Sequence, residues 1–254
     1  AQRRMPLPID SIEPQIPYDA PVTIVRGGTG SGKTTRYPLM LSLFSKDVDS
    51  SPRIIVAQPR RLACQTAARR VAAEQGYNIG DKDCPIGYAI RFESYLGKGD
   101  RTVDFQTPGV LLRRATDNPL LCDVTHLCID EVHERNADID LLLALAKQAQ
   151  ERRAASNLPE LRLILMSATL DSKQWESYFG DRPVAIVDVP DVRRYPIDIV
   201  HLDEQPFPKA MSWIRIVLQK SRNSGEIDKA ICKATAALAL RVYNKELESD
   251  GSVL

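Results

Sequence analysis

The sequence lacks any apolar run long enough to cross a bilayer, which excludes a helical membrane span. Arg3-Arg4 is not followed by the apolar stretch of a secretory signal. No internal repeat or low-complexity tract is visible. The five cysteines, Cys64, Cys84, Cys122, Cys128 and Cys232, form no C-x-x-C pair and have no metal-ligand spacing. An odd number of such residues fits a reducing compartment, with each thiol read as a small buried hydrophobe. Net charge is also nearly absent: 34 Lys and Arg against 33 Asp and Glu leave +1. That balance neither points to nucleic acid nor excludes it, since it can hide a basic groove. What remains is a globular chain of 254 residues, 43% of them hydrophobic, enough to build the core of one large or two small domains.

The most informative stretch is Gly27-Gly28-Thr29-Gly30-Ser31-Gly32-Lys33-Thr34-Thr35. It follows the apolar run Val22-Thr23-Ile24-Val25 and precedes a helix-compatible segment, residues 36–44. Gly27 and Gly32 bracket four residues and are followed by Lys33 and Thr34, the spacing of a P-loop. In such a loop the backbone N–H groups of residues 28–35 wrap a triphosphate, the lysine reaches its outer phosphates and the threonine hydroxyl holds Mg²⁺. Glycine supplies backbone angles closed to residues with a Cβ and lets the backbone touch phosphate. The bland reading is a glycine-rich turn with a surface lysine, but the strand, loop and helix context of the motif is present.

Residues 1–20 carry Pro6, Pro8, Pro14 and Pro17 and read as an extended leader with at most a helical turn over 11–15. A buried strand is expected at 53–58, and a helix at 61–75 with Leu62, Ala67 or Thr66, and Val71 at helical spacing. Strands at 86–92 and 103–107 flank a loop at 96–100, and a short helix covers 110–115. A strand at 126–129, an apolar helix at 139–153 and a strand at 161–166 follow, then further strands at 184–187 and 197–201. Alternating strands and helices imply a parallel sheet with right-handed crossovers. Residues 204–208 read as a linker, and 209–254 as mostly helical.

The strand at 126–129 delivers Asp130-Glu131-Val132-His133 at its carboxyl end. Beside a P-loop, Asp130 can hold the Mg²⁺ shell and Glu131 can orient and deprotonate an attacking water. An acidic pair that merely caps the next helix is the bland alternative. His133 alone would be a packing residue and Ser167-Ala168-Thr169 an ordinary strand-to-helix turn; beside the other motifs they become sensors of nucleotide state.

Gly27 to Thr35, Gln58-Pro59-Arg60-Arg61, Gly87-Tyr88-Ala89-Ile90-Arg91-Phe92-Glu93, Thr107-Pro108-Gly109, Asp130-Glu131-Val132-His133 and Ser167-Ala168-Thr169-Leu170-Asp171 resemble, in order and spacing, the DEAH/RHA group of superfamily 2 RNA helicases. The resemblance covers residues 3–201, and Val132 is like the RNA helicase A branch. It implies an α/β, RecA-like first lobe with a mostly parallel sheet, ATP at one edge, single-stranded RNA across the top and a second lobe supplying the rest. By the same resemblance Lys33 and Thr34 hold phosphates and Mg²⁺, Asp130 and Glu131 complete the metal site, and Glu131 is the general base. His133, with Ser167 and Thr169, links hydrolysis to domain movement. Arg70 packs on the nucleotide base, and Arg60, Arg61, Arg91 and Thr107 touch the RNA backbone, so that binding is sequence-tolerant and salt-sensitive.

Two residues depart from the family pattern: Gly28 stands where an acidic residue is usual and Arg36 where a glutamine is usual. The other arginine doublets are 69–70, 113–114, 152–153 and 193–194, and Arg152-Arg153 reads as a solvated helix end. The expected organisation is a leader over 1–20, an ATP-binding lobe over 21–203, and over 204–254 a linker with a C-terminal helical extension, the truncated start of the second lobe. Gly251-Ser252-Val253-Leu254 resembles that lobe's opening strand, so the chain reads as a fragment of a longer ATP-dependent RNA helicase, nearly inactive by itself. Partners implied are RNA, the second lobe, accessory domains and a ribonucleoprotein complex, in the nucleus, cytoplasm or mitochondrion, with no membrane. An idle lobe serving as a scaffold, a DNA-directed helicase of the same superfamily and an unrelated P-loop ATPase stay open as alternatives.

Overall fold

Continuous runs of β-branched and aliphatic residues, buried on both faces, build a central sheet, as a parallel sheet covered on both sides requires. The computed structural model describes residues 6–44, 51–169 and 172–190. Eight strands form one sheet: β1 (Val22–Arg26), β2 (Arg53–Ala57), β3 (Ile86–Ile90), β4 (Glu93–Tyr95), β5 (Thr102–Gln106), β6 (His126–Ile129), β7 (Arg162–Ser167) and β8 (Val184–Asp188). Their order across the sheet is β4-β3-β5-β2-β6-β7-β1-β8. All neighbours are parallel except β4, which turns back antiparallel on β3. The α/β, mostly parallel architecture expected of a RecA-like lobe is therefore the one observed.

The side-chain alternation of each strand divides the core in two. Val25, Ile54, Val56, Phe105 and Ile164 face α1 (Arg36–Phe44) and α2 (Arg61–Glu74). Ile24, Ile55, Leu127, Ile129 and Leu165 face α3 (Pro108–Asp117), α4 (Ala137–Ala155) and α5 (Ser172–Phe179). Among the described residues no helix is long and apolar enough to cross a membrane.

Several expectations need correcting. The leader is not extended: Pro8–Gln15 form a 3-10 helix whose Ile9 and Ile12 are buried beside Tyr37 and Met40. Two isoleucines three apart eclipse on one side of a threefold helix, giving it an apolar ridge to bury despite its prolines. Leu62 lies 72% exposed, outside the core face of α2, which is made by Cys64, Ala67, Ala68, Val71 and Ala72. Arg153 is no solvated helix end: its buried guanidinium donates to the carbonyl oxygens of Leu120, Leu121, Val124 and Pro159, and burial lowers its pKa. Only Arg152 of that pair stays in solvent. Cys64, Cys84 and Cys128 are buried as expected, whereas Cys122 is exposed. The strand expected at 197–201, the linker and helices of 204–254, Cys232 and Leu170-Asp171 lie outside the described residues.

Candidate active site

Each motif of the sequence stands at the carboxyl end of a parallel strand, the edge at which open α/β sheets carry their ligand sites. The glycine-rich loop leaves β1, Gln58 leaves β2, Arg91 leaves β3, Thr107 leaves β5, Asp130 leaves β6, and Ser167 ends β7. Because β6, β7 and β1 are consecutive across the sheet, Asp130, Ser167 and the loop come together although they are far apart in the chain.

The Gly27 amide donates to the Ser167 carbonyl at 3.1 Å, tying the loop's entry to β7. A Cβ on Gly27 would lie 2.8 Å from Cβ of Val189, so only glycine fits there. Lys33 is buried; its Nζ donates to the carbonyl oxygens of Gly27 and Gly28. Burial lowers the pKa of this ammonium, opposed by the carboxylates of Asp130 and Glu131. Thr34 Oγ1 and Gln58 Nε2 both donate to Oδ2 of Asp130, while Oδ1 accepts the Glu131 amide at 2.9 Å. Asp130 is fully buried, and desolvation raises its pKa against the pull of Thr34, the Glu131 amide and Lys33.

Glu131 adopts left-handed backbone angles, φ 54°, as does Arg135, φ 42°, on either side of the 3-10 turn Val132–Glu134. Such angles cost a non-glycine residue about 1–3 kcal/mol and collect at functional sites. The turn carries His133 Nδ1 to 2.9 Å from Ser167 Oγ and 3.4 Å from Glu131 Oε2. Ser167 Oγ already spends its single hydrogen on the Thr169 carbonyl, at 3.0 Å, and accepts the Thr169 amide at 3.1 Å. With the Ser167 hydroxyl directed at the Thr169 carbonyl, His133 Nδ1 is assigned as the donor to Ser167 Oγ. Lys33, Thr34, Asp130, Glu131, His133, Ser167 and Thr169 thus form one constellation.

The residues expected on the RNA lie along the same edge in a looser row. Arg60 is exposed and pairs with Glu134 at 2.8 Å. Arg61 donates to the Arg91 carbonyl at 3.4 Å, and Thr107 is the residue before α3, its amide on the Ala89 carbonyl at 3.2 Å. Arg70 is not in the constellation: it lies on α2 with Nε 3.0 Å from Glu74. Gln58 and Phe92 lie within sequence motifs that assign them no role. Gln58 holds Asp130, and Phe92 is 91% exposed at φ 69° with the Arg91 guanidinium 4.7 Å above its ring. An apolar ring held in solvent by a strained backbone was the signal the motif alone did not carry.

A triphosphate and Mg²⁺ fit this donor set. Ser31 Oγ is buried in the loop without a hydrogen-bond partner among the described residues. Thr34 and Asp130 bring two hard oxygens within hydrogen-bonding distance. Mg²⁺ is held in this manner, by one or two protein oxygens with water and phosphate completing its shell. Among the described residues no group of three or more His, Cys, Asp or Glu side chains is gathered into a metal cage.

Comparison with known proteins gives the same direction. Residues 14–177 match the DEAD/DEAH box helicase family. The chain is 38% identical over 205 residues to the DExH-box ATP-dependent RNA helicase DExH1 of Arabidopsis thaliana, covering 79% of this chain and 18% of that protein. It is 38% identical over 208 residues to ATP-dependent RNA helicase DHX30 of Gallus gallus, covering 80% and 16%. With human ATP-dependent RNA helicase DHX29 it shares 37% over 188 residues, 72% of this chain and 13% of that protein. The chain spans less than a fifth of the length of these relatives.

Proposed function

The chain belongs to the DEAD/DEAH box helicase family, and from that premise we propose that it is the ATP-binding lobe of an ATP-dependent RNA helicase that translocates on RNA and remodels duplexes or ribonucleoproteins. One observation carries this reading: Thr34 and Gln58 converge on Asp130, with Lys33 and Glu131 beside it, at the meeting of the β1 and β6 ends. Burying a lysine and a carboxylate beside a glycine-rich turn costs desolvation energy, and charged groups perturbed in this way gather at functional sites.

In this reading the amides of residues 28–35 and the Lys33 ammonium would hold the phosphates, and Thr34 and Asp130, with Glu131, would hold Mg²⁺. Bound there, the ion would neutralise charge developing between the β- and γ-phosphates. Gln58 keeps the Asp130 carboxylate turned toward Thr34. Glu131, half exposed and aimed by its left-handed backbone, takes the proton of the attacking water. His133 is bonded to Ser167, so movement of Glu131 can pass to β7 and to Thr169, the coupling role. Arg70 meets the base, and Arg60, Arg61, Arg91 and Thr107 meet the RNA backbone, where contacts position without reading sequence. Phe92 offers a face on which a base can stack. A second lobe, supplying a cationic finger worth about 10³ to 10⁵ in rate, completes the site. Three relatives named as RNA helicases favour RNA over DNA as the polynucleotide.

The test is Glu131→Gln in the full-length protein. ATP binding is expected to persist while RNA-stimulated turnover falls at least about 100-fold, the usual worth of a general base. Turnover at the wild-type rate would show that the base lies elsewhere.

A further inference from the structure

Outside the constellation, a chain of contacts runs behind the phosphate loop, from the 3-10 segment Pro8–Gln15 to α2. The Ile9 amide donates to the Ser31 carbonyl at 3.1 Å. Gly32, at φ 98°, is packed so closely on this segment that a Cβ would lie 2.7 Å from Cγ2 of Ile9 and 3.1 Å from Cδ1 of Leu7. No peptide in the described residues is cis. In a trans peptide the carbonyl and the N–H point in opposite directions. A donor clamped on the Ser31 oxygen therefore fixes the plane carrying the Gly32 N–H and turns that N–H away from the 3-10 segment.

The same segment is tied to α2 through Arg36, the first residue of α1. The Arg36 amide bonds the Gly32 carbonyl at 2.7 Å, and its side chain is only 9% exposed. Its guanidinium stands between two carboxylates, Nε 3.7 Å from Asp10 and Nη2 3.7 Å from Glu74. Asp10 is itself fixed by the Leu7 amide at 2.7 Å, and Glu74 accepts from Arg70 at 3.0 Å. Arg36 Nε has no hydrogen-bond acceptor among the described residues. A buried guanidinium with two carboxylates at ion-pair distance but no hydrogen bond at Nε is costly to keep. Three elements that are otherwise separate in the chain meet on this one side chain.

We infer that Arg36 is a positioning residue of the nucleotide site, with two branches: through Asp10 it holds the 3-10 segment against the phosphate loop, and through Glu74 it holds Arg70 in place for the base. The inference rests on the reading of the loop as a nucleotide site and of Arg70 as its base contact. The branches separate experimentally because one acts on phosphate and the other on the base. Inorganic tripolyphosphate occupies the first without the second.

The experiment measures, on the full-length protein with Mg²⁺, the affinity for ADP by fluorescence and for tripolyphosphate by competition. Arg36→Ala is expected to weaken ADP about tenfold and tripolyphosphate about threefold or more, with Arg36→Lys recovering most of both because its charge remains between the carboxylates. Asp10→Asn is expected to weaken both ligands. Glu74→Gln is expected to weaken ADP alone, as does Arg70→Ala. Asp10 and Glu74 are partly exposed, so their variants report even where Arg36→Ala fails to fold. ADP affinity within twofold of wild type in Glu74→Gln and Asp10→Asn, with binding lost in Lys33→Ala, overturns the inference and leaves the site reading intact. Binding retained in Lys33→Ala overturns both. Equal loss of ADP and tripolyphosphate in Glu74→Gln overturns the base-side branch.

Discussion

Asp104 sits within β5 with Oδ1 accepting the Gly97 amide at 2.7 Å, and burial holds its carboxyl above the usual range. A folded-state pKa above the unfolded one means that the native protein binds the proton more tightly. The stability this residue contributes is then full below the unfolded pKa and is lost as pH rises through the folded one. Asp104→Asn keeps an acceptor for Gly97 and carries no charge, so its melting temperature is expected to exceed that of wild type at pH 7 and to converge with it near pH 4. Thermal unfolding at the two pH values decides this, and an unchanged gap between them would refute it. Arg153 is the other residue whose surroundings outweigh its type. Replacing it by leucine strands four backbone carbonyls, and urea denaturation is expected to show a loss on the order of 3 kcal/mol, against less than about 0.5 for Arg152→Leu.

At the scale of elements, the β3–β4 corner depends on close backbone approach. A Cβ on Gly87 would fall far inside contact distance of the Gly97 amide, the Tyr95 carbonyl and Asp104. All three are held by backbone or by a hydrogen bond, so none can give way cheaply. Gly87→Ala is expected to cost about 1–3 kcal/mol and to raise hydrogen exchange at the amides of β4 and of Gly97 before those of β2 or β6. Protection that fell evenly across the sheet would contradict a local role. The 3-10 segment makes a similar point about short elements. Its prolines argue against structure, yet Ile9 and Ile12 gain burial on the sheet that an isolated turn could not supply.

At the scale of the whole molecule, the strand order turns separate motifs into one site, and its occupation should be felt by the entire fold. A ligand that binds only the native state stabilises it by about 2.7 kcal/mol at a hundred times its Kd. ADP with Mg²⁺ is expected to raise the unfolding free energy by about that amount, and a chelator to remove most of the gain if, as proposed, Thr34 and Asp130 hold the ion. Chemical denaturation at fixed ADP, with and without chelator, measures it. No gain with saturating ADP would count against nucleotide binding at the loop.

Much of this protein is local. Residues 27–35 carry much of their own geometry because Gly30 and Gly32 take φ 78° and 98° without strain and Lys33 and Thr34 follow at a fixed reach. Period-two and period-3.6 patterns likewise placed most strands and helices, and the strand-end positions of Asp130 and Ser167 followed from them. What the sequence by itself determined is therefore which residues stand at the ends of which strands. Tertiary structure alone decided which ends are neighbours: Thr34 and Asp130 are 96 positions apart and Gln58 and Asp130 are 72, brought together only by the order of β1, β7, β6 and β2. It also decided that Arg153 is buried, that Arg36 bridges Asp10 and Glu74, and that the leader packs on the loop. The reason is physical: backbone angles and periodicity are set within a few residues, whereas burial and partnership depend on surfaces that exist only once the sheet has formed.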